Sequence, residues 1–123
     1  MRAWSIAYTA TMSEQPGLRV LGAARMVVDD INQLLKRRRL PNAVQLRDAA
    51  ESITANIQEG FGRDAGPDRN RFLRFARASA EETNERLRAR FGARDVPAKV
   101  YWSLHHRLVV VVKMLTNLMS KTD

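Results

Sequence analysis

Four stretches of this sequence repeat apolar residues at spacings of three and four, and this period constrains the fold more than any other feature. In the first stretch Leu21, Ala24, Val28, Ile31 and Leu35 follow the period, so they share one face of an α-helix. In the third stretch the predicted inner face carries Phe72, Phe75, Ala76, Ser79, Thr83 and Leu87. The sequence therefore predicts four amphipathic helices over residues 18–39, 42–62, 69–91 and 96–120, after an N-terminal tail over residues 1–17.

The predicted links between these helices are short, and each contains residues that end or begin a helix. Pro41 and Gly92 end helices, and Asn42, Asp68 and Asp95 are the predicted N-caps. Short links make neighbouring helices antiparallel, and four such helices bury their apolar faces most easily as an up-and-down bundle. A chain of 123 residues fits one domain of this kind. We predict an all-α, antiparallel up-and-down four-helix bundle.

The fourth predicted helix is apolar beyond one face. Its inner line comprises Leu104, Leu108, Val111, Leu115 and Leu118. Outside that line lie Val109, Val110, Val112, Met114 and Met119. Either this helix is the most buried member of the bundle, or its extra apolar surface packs on another subunit. We favour a homo-oligomer and assign Val109, Val110, Val112 and Met114 to its interface.

The chain is strongly basic, with a formal net charge of +8, and the predicted topology concentrates this charge. Antiparallel order brings the ends of helices one and three to the beginnings of helices two and four. We call the cations there the basic end: Lys36, Arg37, Arg38, Arg39, Arg47, Arg86, Arg88, Arg90, Arg94 and Lys99. With Asp48, Glu85 and Asp95 beside them, ten cations against three carboxylates leave about +7. A cationic surface of this size favours nucleic acid as the partner.

The charge also has a purely structural interpretation. Cations at helix C-termini complement the helix dipole, which accounts for residues 36–39 and 86–90. It does not account for Arg47 or Lys99, which begin helices. Of the 21 basic residues, 17 are arginine, the side chain best suited to bidentate phosphate contact. The predicted nucleic-acid contacts are Lys36, Arg37, Arg38, Arg39, Arg47, Arg88, Arg90, Arg94 and Lys99.

Polar residues share one face of the second helix beside its apolar line. Ser52, Asn56, Glu59 and Arg63 follow spacings of four, three and four. From this face Asn56 or Ser52 could bond across to Ser79 or Glu82 on helix three. We predict a buried polar seam of these six residues that fixes the register of the helices rather than performing chemistry.

No arrangement typical of an enzyme is evident, and we predict no catalytic residue, cofactor or metal. His105 and His106 are adjacent, so on a helix they point about 100° apart and cannot chelate one ion. The Glu-x-x-His pairs of di-iron bundles are missing. Residues 60–63 lack the strand and the Lys-Ser/Thr ending of a phosphate-binding loop.

Several features suggest a cytoplasmic protein. The N-terminal residues lack the pattern of a secretory signal, and the longest apolar run, residues 108–112, is too short for a membrane span. Cysteine is absent, which excludes disulfides and thiolate metal sites. Met12 is an alternative start, which would leave residues 1–11 outside the native protein.

Two segments carry a resemblance to a known family. Residues 52–63, Ser-Ile-Thr-Ala-Asn-Ile-Gln-Glu-Gly-Phe-Gly-Arg, resemble the signature of the bacterial four helix bundle proteins first described from intervening sequences in 23S ribosomal RNA genes. Residues 71–79, Arg-Phe-Leu-Arg-Phe-Ala-Arg-Ala-Ser, resemble the family's next block. The chain departs from the pattern before Ser79, where the family usually has Gly, and at Ala80 and Thr83, where it usually has Leu.

The resemblance implies an antiparallel four-helix bundle associated with fivefold rings. Related proteins include the accessory variability determinants of diversity-generating retroelements, which are basic pentamers that bind nucleic acid and partner a reverse transcriptase. We therefore expect a non-enzymatic, ring-forming RNA or DNA binder, and in a narrower form the accessory subunit of such a reverse transcriptase. The alternative is a protein-interaction scaffold that docks a partner through helix four or the tail, with the charge serving solubility alone.

Overall fold

Four α-helices make up the part of the chain that the computed structural model describes, which is the backbone of residues 16–122 and the side chains of residues 17–119. They are α1 (Pro16–Arg37), α2 (Ala43–Phe61), α3 (Pro67–Gly92) and α4 (Ala98–Thr122). No strand occurs between residues 16 and 122, and the predicted all-α fold with four helices is confirmed. Residues 1–15 of the predicted tail, including the alternative start at Met12, lie outside the described residues.

Each helix packs on two neighbours. Within residues 16–122, α2 lies against α1 and α3, α4 lies against α3 and α1, and the diagonal pairs make no close backbone contact. The contact between α2 and α3 is the most extensive and that between α1 and α4 the least. The four helices therefore surround one core, and the contact between the first helix, α1, and the last, α4, completes the bundle.

The core draws large side chains from all four helices. Those with less than 2% exposure include Val20, Val27, Ile31, Ile53, Ile57, Leu73, Leu87, Leu104, Leu108, Val111 and Leu115. Burial of an aliphatic side chain of this size contributes about 1.5–3 kcal/mol relative to exposure. None of the helices, over the residues described, is long and apolar enough to cross a lipid bilayer.

The inner face of α3 differs from the sequence prediction. Asn70, Leu73, Ala76, Ala80, Thr83 and Leu87 are buried. Phe75, predicted to face the core, is 47% exposed, and Phe72 and Ser79 are only half-buried. The two phenylalanines instead pack edge to face with ring centroids 5.9 Å apart, beside the arginines of the same helix. The small residues Ala76 and Ala80 take the inner positions, which lets α3 approach its neighbours closely.

The predicted N-caps do not act as caps. Asn42 precedes α2 in a left-handed conformation with φ 57° and makes no side-chain capping hydrogen bond. Gly66 holds the N-cap position of α3, so Asp68 falls within the first turn. The Asp95 carboxylate accepts a 2.9 Å hydrogen bond from Arg90. Asn42 therefore holds the N-cap position without capping, Asp68 lies inside the first turn of α3, and the Asp95 carboxylate is occupied by Arg90.

The end of α3 is a Schellman motif centred on Arg94. The Asp95 N–H donates to the Arg90 carbonyl at 2.8 Å, and the Arg94 N–H donates to the Phe91 carbonyl at 2.9 Å. Arg94 takes the left-handed conformation, with φ 67°. Gly92, predicted to stop the helix, is its last residue.

Candidate functional site

The structure brings the two helix links of the basic end together. Arg38, just after α1, donates from Nη1 to the Asp95 carbonyl oxygen in the link between α3 and α4, at 3.3 Å. In the link between α1 and α2, Pro41 shares a small pocket with Arg86 and Arg90 of α3. The cations that follow α1 therefore lie beside those at the end of α3.

A cationic groove separates the end of α1 from the beginning of α4. It has a volume of about 670 Å³. Its lining comprises Asp30, Gln33, Leu34, Arg37, Arg38, Pro97, Lys99, Val100, Ser103, Leu104 and Arg107. Four cations thus face this groove against a single carboxylate, so it attracts anionic groups.

The single carboxylate of the groove is already neutralised. Arg107 Nε lies 2.9 Å from Asp30 Oδ2, and Arg107 Nη1 donates to the Met26 sulfur at 3.4 Å. The Nε contact is an ion pair without a directed hydrogen bond. With Asp30 and Arg107 balanced, Arg37, Arg38 and Lys99 supply the net charge of the groove.

Four of the ten cations of the basic end are paired with carboxylates. The pairs are Arg47 with Glu51 at 3.8 Å, Arg86 with Glu82 at 2.9 Å, Arg88 with Glu85 at 3.4 Å and Arg90 with Asp95 at 2.9 Å. The other six form no ion pair with any side chain among residues 17–119, and all six are exposed: Lys36, Arg37, Arg38, Arg39, Arg94 and Lys99. These six, which we call the free cations, are the groups available to a polyanion.

Only part of the predicted polar seam comes together. The Ser52 and Ser79 hydroxyl oxygens are 2.8 Å apart and hydrogen-bonded across α2 and α3. Asn56 Nδ2 donates to the Ser52 carbonyl at 2.9 Å and to its hydroxyl at 3.1 Å. Thr83 donates to the Ser79 carbonyl at 2.7 Å. These half-buried or buried groups bond one another, so they join two helices rather than present a reactive group.

Glu59, Arg63 and Glu82 do not belong to a buried seam, because their side chains are 60%, 41% and 54% exposed. Arg63 pairs with Glu59 at 3.4 Å and with Asp68, at the start of α3, at 2.8 Å. The Asp68 carboxylate raises the pKa of Arg63, and hydrogen bonds from Arg71 and Arg63 lower the pKa of Asp68. The long side chains reach solvent, where charged groups remain hydrated.

The end of the segment over residues 52–63 packs closely between α2 and α3. A Cβ on Gly60 would lie 3.1 Å from Leu73 Cδ2 and 3.3 Å from the Arg69 carbonyl oxygen. Arg69 Nη2 donates to the Arg63 carbonyl at 2.7 Å, and its Nε donates to the Gly60 carbonyl at 3.2 Å. Arg69 therefore satisfies carbonyls at the end of α2. This segment holds the fold together at the opposite end of α2 from the basic end.

The residues assigned to an oligomer interface do not share one face of α4. Val109 and Val112 line a groove of about 280 Å³ against α3. Val112 and Met114 pack against the core on different flanks, because successive residues turn by about 100°. Met119, predicted to lie outside the inner line, is buried, whereas Leu118 is only partly buried. Val109 and Val110 are half-buried and are not among the residues packed against the core.

An aromatic cluster beside the basic end escaped the sequence analysis. Phe91 stacks on Tyr101 with centroids 4.4 Å apart, and Trp102 meets both rings edge to face. His105 stacks on Tyr101, and its Nδ1 is 3.1 Å from Asn84 Oδ1. The sequence signal was the adjacent pair Tyr101 and Trp102, since neighbouring helical residues cannot both face the core.

The structure offers no candidate metal centre in its described part. Between residues 16 and 122, no three His, Cys, Asp or Glu side chains are grouped so that they could hold a metal ion. The arrangement at the basic end can bind anions through positive charge.

Comparison with known protein families gives a match over most of the chain. The sequence model of the family described as 23S rRNA-intervening sequence protein matches residues 17–117. The matched range includes all of α2 and α3, most of α1 and α4, and both segments quoted above. No curated protein matches the chain.

Proposed function

The chain belongs to the 23S rRNA-intervening sequence protein family, and from this premise we propose that it is a non-enzymatic RNA- or DNA-binding protein that holds phosphate groups at its basic end. One observation carries the proposal. The six free cations gather at one end of the molecule, and three of them, Arg37, Arg38 and Lys99, line the groove between α1 and α4. Phosphate contacts of this kind give affinity with little base specificity.

Antiparallel order of the helices is part of the proposal, because it is what gathers the cations. The contacts that support this order pair later residues of one helix with earlier residues of its neighbour. Ser52 of α2 bonds Ser79 of α3, whereas Gly60, later in α2, lies against Leu73, earlier in α3. Between α3 and α4, residues 77 and 84 contact residues 116 and 105 in the same reversed sense.

Assembly into a ring would strengthen weak phosphate contacts. We propose a homo-oligomer of five copies, as the resemblance implies, which with a charge of +8 per chain would carry about +40. A narrower form of the proposal makes the protein the accessory subunit of a retroelement reverse transcriptase. A reverse-transcriptase gene and a template repeat beside its own gene would support this narrower form, and their absence would remove it.

The test is filter binding of single-stranded RNA over a salt series. If the six free cations of one chain contact phosphates, the logarithm of the affinity should fall with the logarithm of the salt concentration with a slope of about −4 for each chain that engages the strand. The variant Arg37→Gln with Lys99→Gln removes two groove cations and should make the slope shallower by about 1.4.

The matched control is Arg19→Gln with Arg25→Gln, which removes the same charge from exposed positions of α1 away from the basic end. Its slope should equal that of the unmodified protein. Absent or salt-independent binding would overturn the proposal and leave the scaffold alternative. In that case a pulldown after nuclease treatment should still recover a protein partner.

A further inference from the structure

Trp102 is the most exposed large apolar side chain in the described part of the chain, at 56% exposure. It stands in the second turn of α4, one turn after Lys99. Exposure of an indole costs free energy in water, since burying such a ring is favourable. Its position beside the basic end leaves the ring open to a ligand of that surface.

Three neighbouring rings hold the indole in place. Phe91, Tyr101 and His105 meet Trp102 at centroid distances of 6.1, 4.9 and 5.5 Å, with interplanar angles of 72°, 72° and 85°. These steep angles fix the orientation of the indole while leaving more than half of its surface in solvent. A ligand that stacks on it need not order a mobile side chain, which lowers the entropic cost of binding.

The surroundings of Trp102 are cationic. Lys99 lies one turn before it on α4 and is exposed. Arg88 lies near Tyr101, and its interaction with that hydroxyl, together with the charge of Glu85, raises the pKa of Arg88. Glu85 is itself paired with Arg88 at 3.4 Å. An aromatic ring set among cations complements a ligand that has both a flat apolar face and a negative charge.

Lys99 connects the ring with the groove. It lines the groove between α1 and α4 together with Arg37 and Arg38, and it stands one helical turn from Trp102. A phosphate held by Lys99 would therefore lie about one helical turn from the indole. Nucleotides supply both groups that this surface complements, a phosphate and a planar base.

We propose that the basic end selects unpaired nucleic acid, with one base stacked on Trp102 and the neighbouring phosphates held by Lys99 and the groove. This rests on the proposed function and deepens it. In a duplex both faces of each base are covered by neighbouring base pairs, so only an unpaired or terminal base can stack on a side chain. Duplexes would then bind through charge alone.

The experiment uses the intact protein with Trp4, the other tryptophan, changed to Phe, so that Trp102 is the sole reporter. Addition of oligouridine RNA at low salt should quench its fluorescence, whereas a duplex of equal length should bind without comparable quenching. Trp102→Ala should weaken oligouridine binding about tenfold and duplex binding less than twofold. Trp102→Phe keeps an aromatic face and should retain most of the affinity.

Phe75→Ala is the matched control, because Phe75 is an exposed aromatic residue with an arginine beside its ring but lies on α3 away from the basic end. It should leave both affinities unchanged. Equal quenching by single strand and duplex, or unchanged oligouridine binding by Trp102→Ala, would overturn this inference. If the groove variant Arg37→Gln with Lys99→Gln still loses affinity in that case, the proposed function stands without it. If the unmodified protein binds neither the single strand nor the duplex, both this inference and the proposed function are overturned.

Discussion

Arg94 occupies a backbone conformation that residues with a Cβ rarely adopt. Its φ of 67° lies in the left-handed region, at the position after α3 where glycine is the usual residue. For a residue other than glycine this conformation costs about 1–2 kcal/mol. The strain is local, since both hydrogen bonds of the Schellman motif are formed by backbone groups of residues 90–95.

We therefore expect Arg94→Gly to stabilise the protein relative to Arg94→Ala by about 0.5–1 kcal/mol, after allowance for the greater freedom of glycine in the unfolded chain. Both variants remove the same positive charge, so the comparison isolates the backbone. Urea unfolding followed by circular dichroism measures the difference. Equal midpoints for the two variants would show that Arg94 is not strained.

Side-chain partners were predicted well only where the side chains are short. The bond between Ser52 and Ser79 follows from helical spacing, because a short side chain stays close to the direction of its Cβ. Glu59 and Arg63 start from the same face, but their long side chains extend to solvent and to Asp68. Periodicity predicts the face of the helix on which a residue lies, but it does not predict the conformation of a long side chain.

At the scale of helices, the contact between α2 and α3 depends on a missing side chain. A Cβ at Gly60 would meet Leu73 Cδ2 at 3.1 Å and the Arg69 carbonyl oxygen at 3.3 Å. Leu73 is fully buried and the carbonyl belongs to the backbone of α3, so neither can move aside cheaply. Gly22, on α1, has no atom within 4 Å of the corresponding position.

The same substitution should therefore have opposite effects on the two helices. Gly60→Ala should lower the free energy of unfolding by about 1 kcal/mol or more, because overpacking outweighs the gain in helix propensity. Gly22→Ala should raise it by about 0.5–1 kcal/mol, because only the propensity changes. Chemical denaturation of both variants tests the pair. A gain for Gly60→Ala would mean that α3 can shift away from α2.

The apolar period was sufficient to predict four helices, and the resemblance of residues 52–63 to a family signature is confirmed by the match over residues 17–117. The apolar period was not sufficient to predict which residues form the inner face of α3. There small residues pack inward and Phe75 turns outward, although a count of apolar residues favours the larger ring. Which of two adjacent apolar lines is buried depends on the space between helices, which one sequence does not contain.

At the scale of the whole molecule, the net charge of the basic end overestimates the number of cations that are available to a ligand. Sequence counting set three carboxylates against the ten cations of the basic end, but Glu51 and Glu82 also pair with Arg47 and Arg86. Both carboxylates lie one turn from their arginines, where such pairs form readily. The free cations are consequently six, concentrated around the end of α1 and the start of α4.

The surface of α4 that faces away from the core bears on assembly. Val110 is half-buried in the single chain and is not packed against the core, so we expect it in the contact between subunits of the proposed oligomer. Val110→Glu would place a charge there and should reduce the mass measured by light scattering to that of one chain. Val44→Glu, at a residue of α2 that is 54% exposed, should leave the mass unchanged. Equal masses for the two variants would show that Val110 is not part of the contact between subunits.

The four helix contacts differ in extent, and this difference determines which two helices separate most easily. The seam between α1 and α4 is the least extensive of the four helix contacts, and it joins Met26 and Arg107, which are 81 positions apart along the chain. Closing so distant a contact costs the most chain entropy, and a small contact offsets the least of it. Transient separation of α1 from α4 should therefore precede global unfolding. Because the cationic groove is part of this seam, separation of α1 from α4 would also widen the groove in which we propose that phosphates bind.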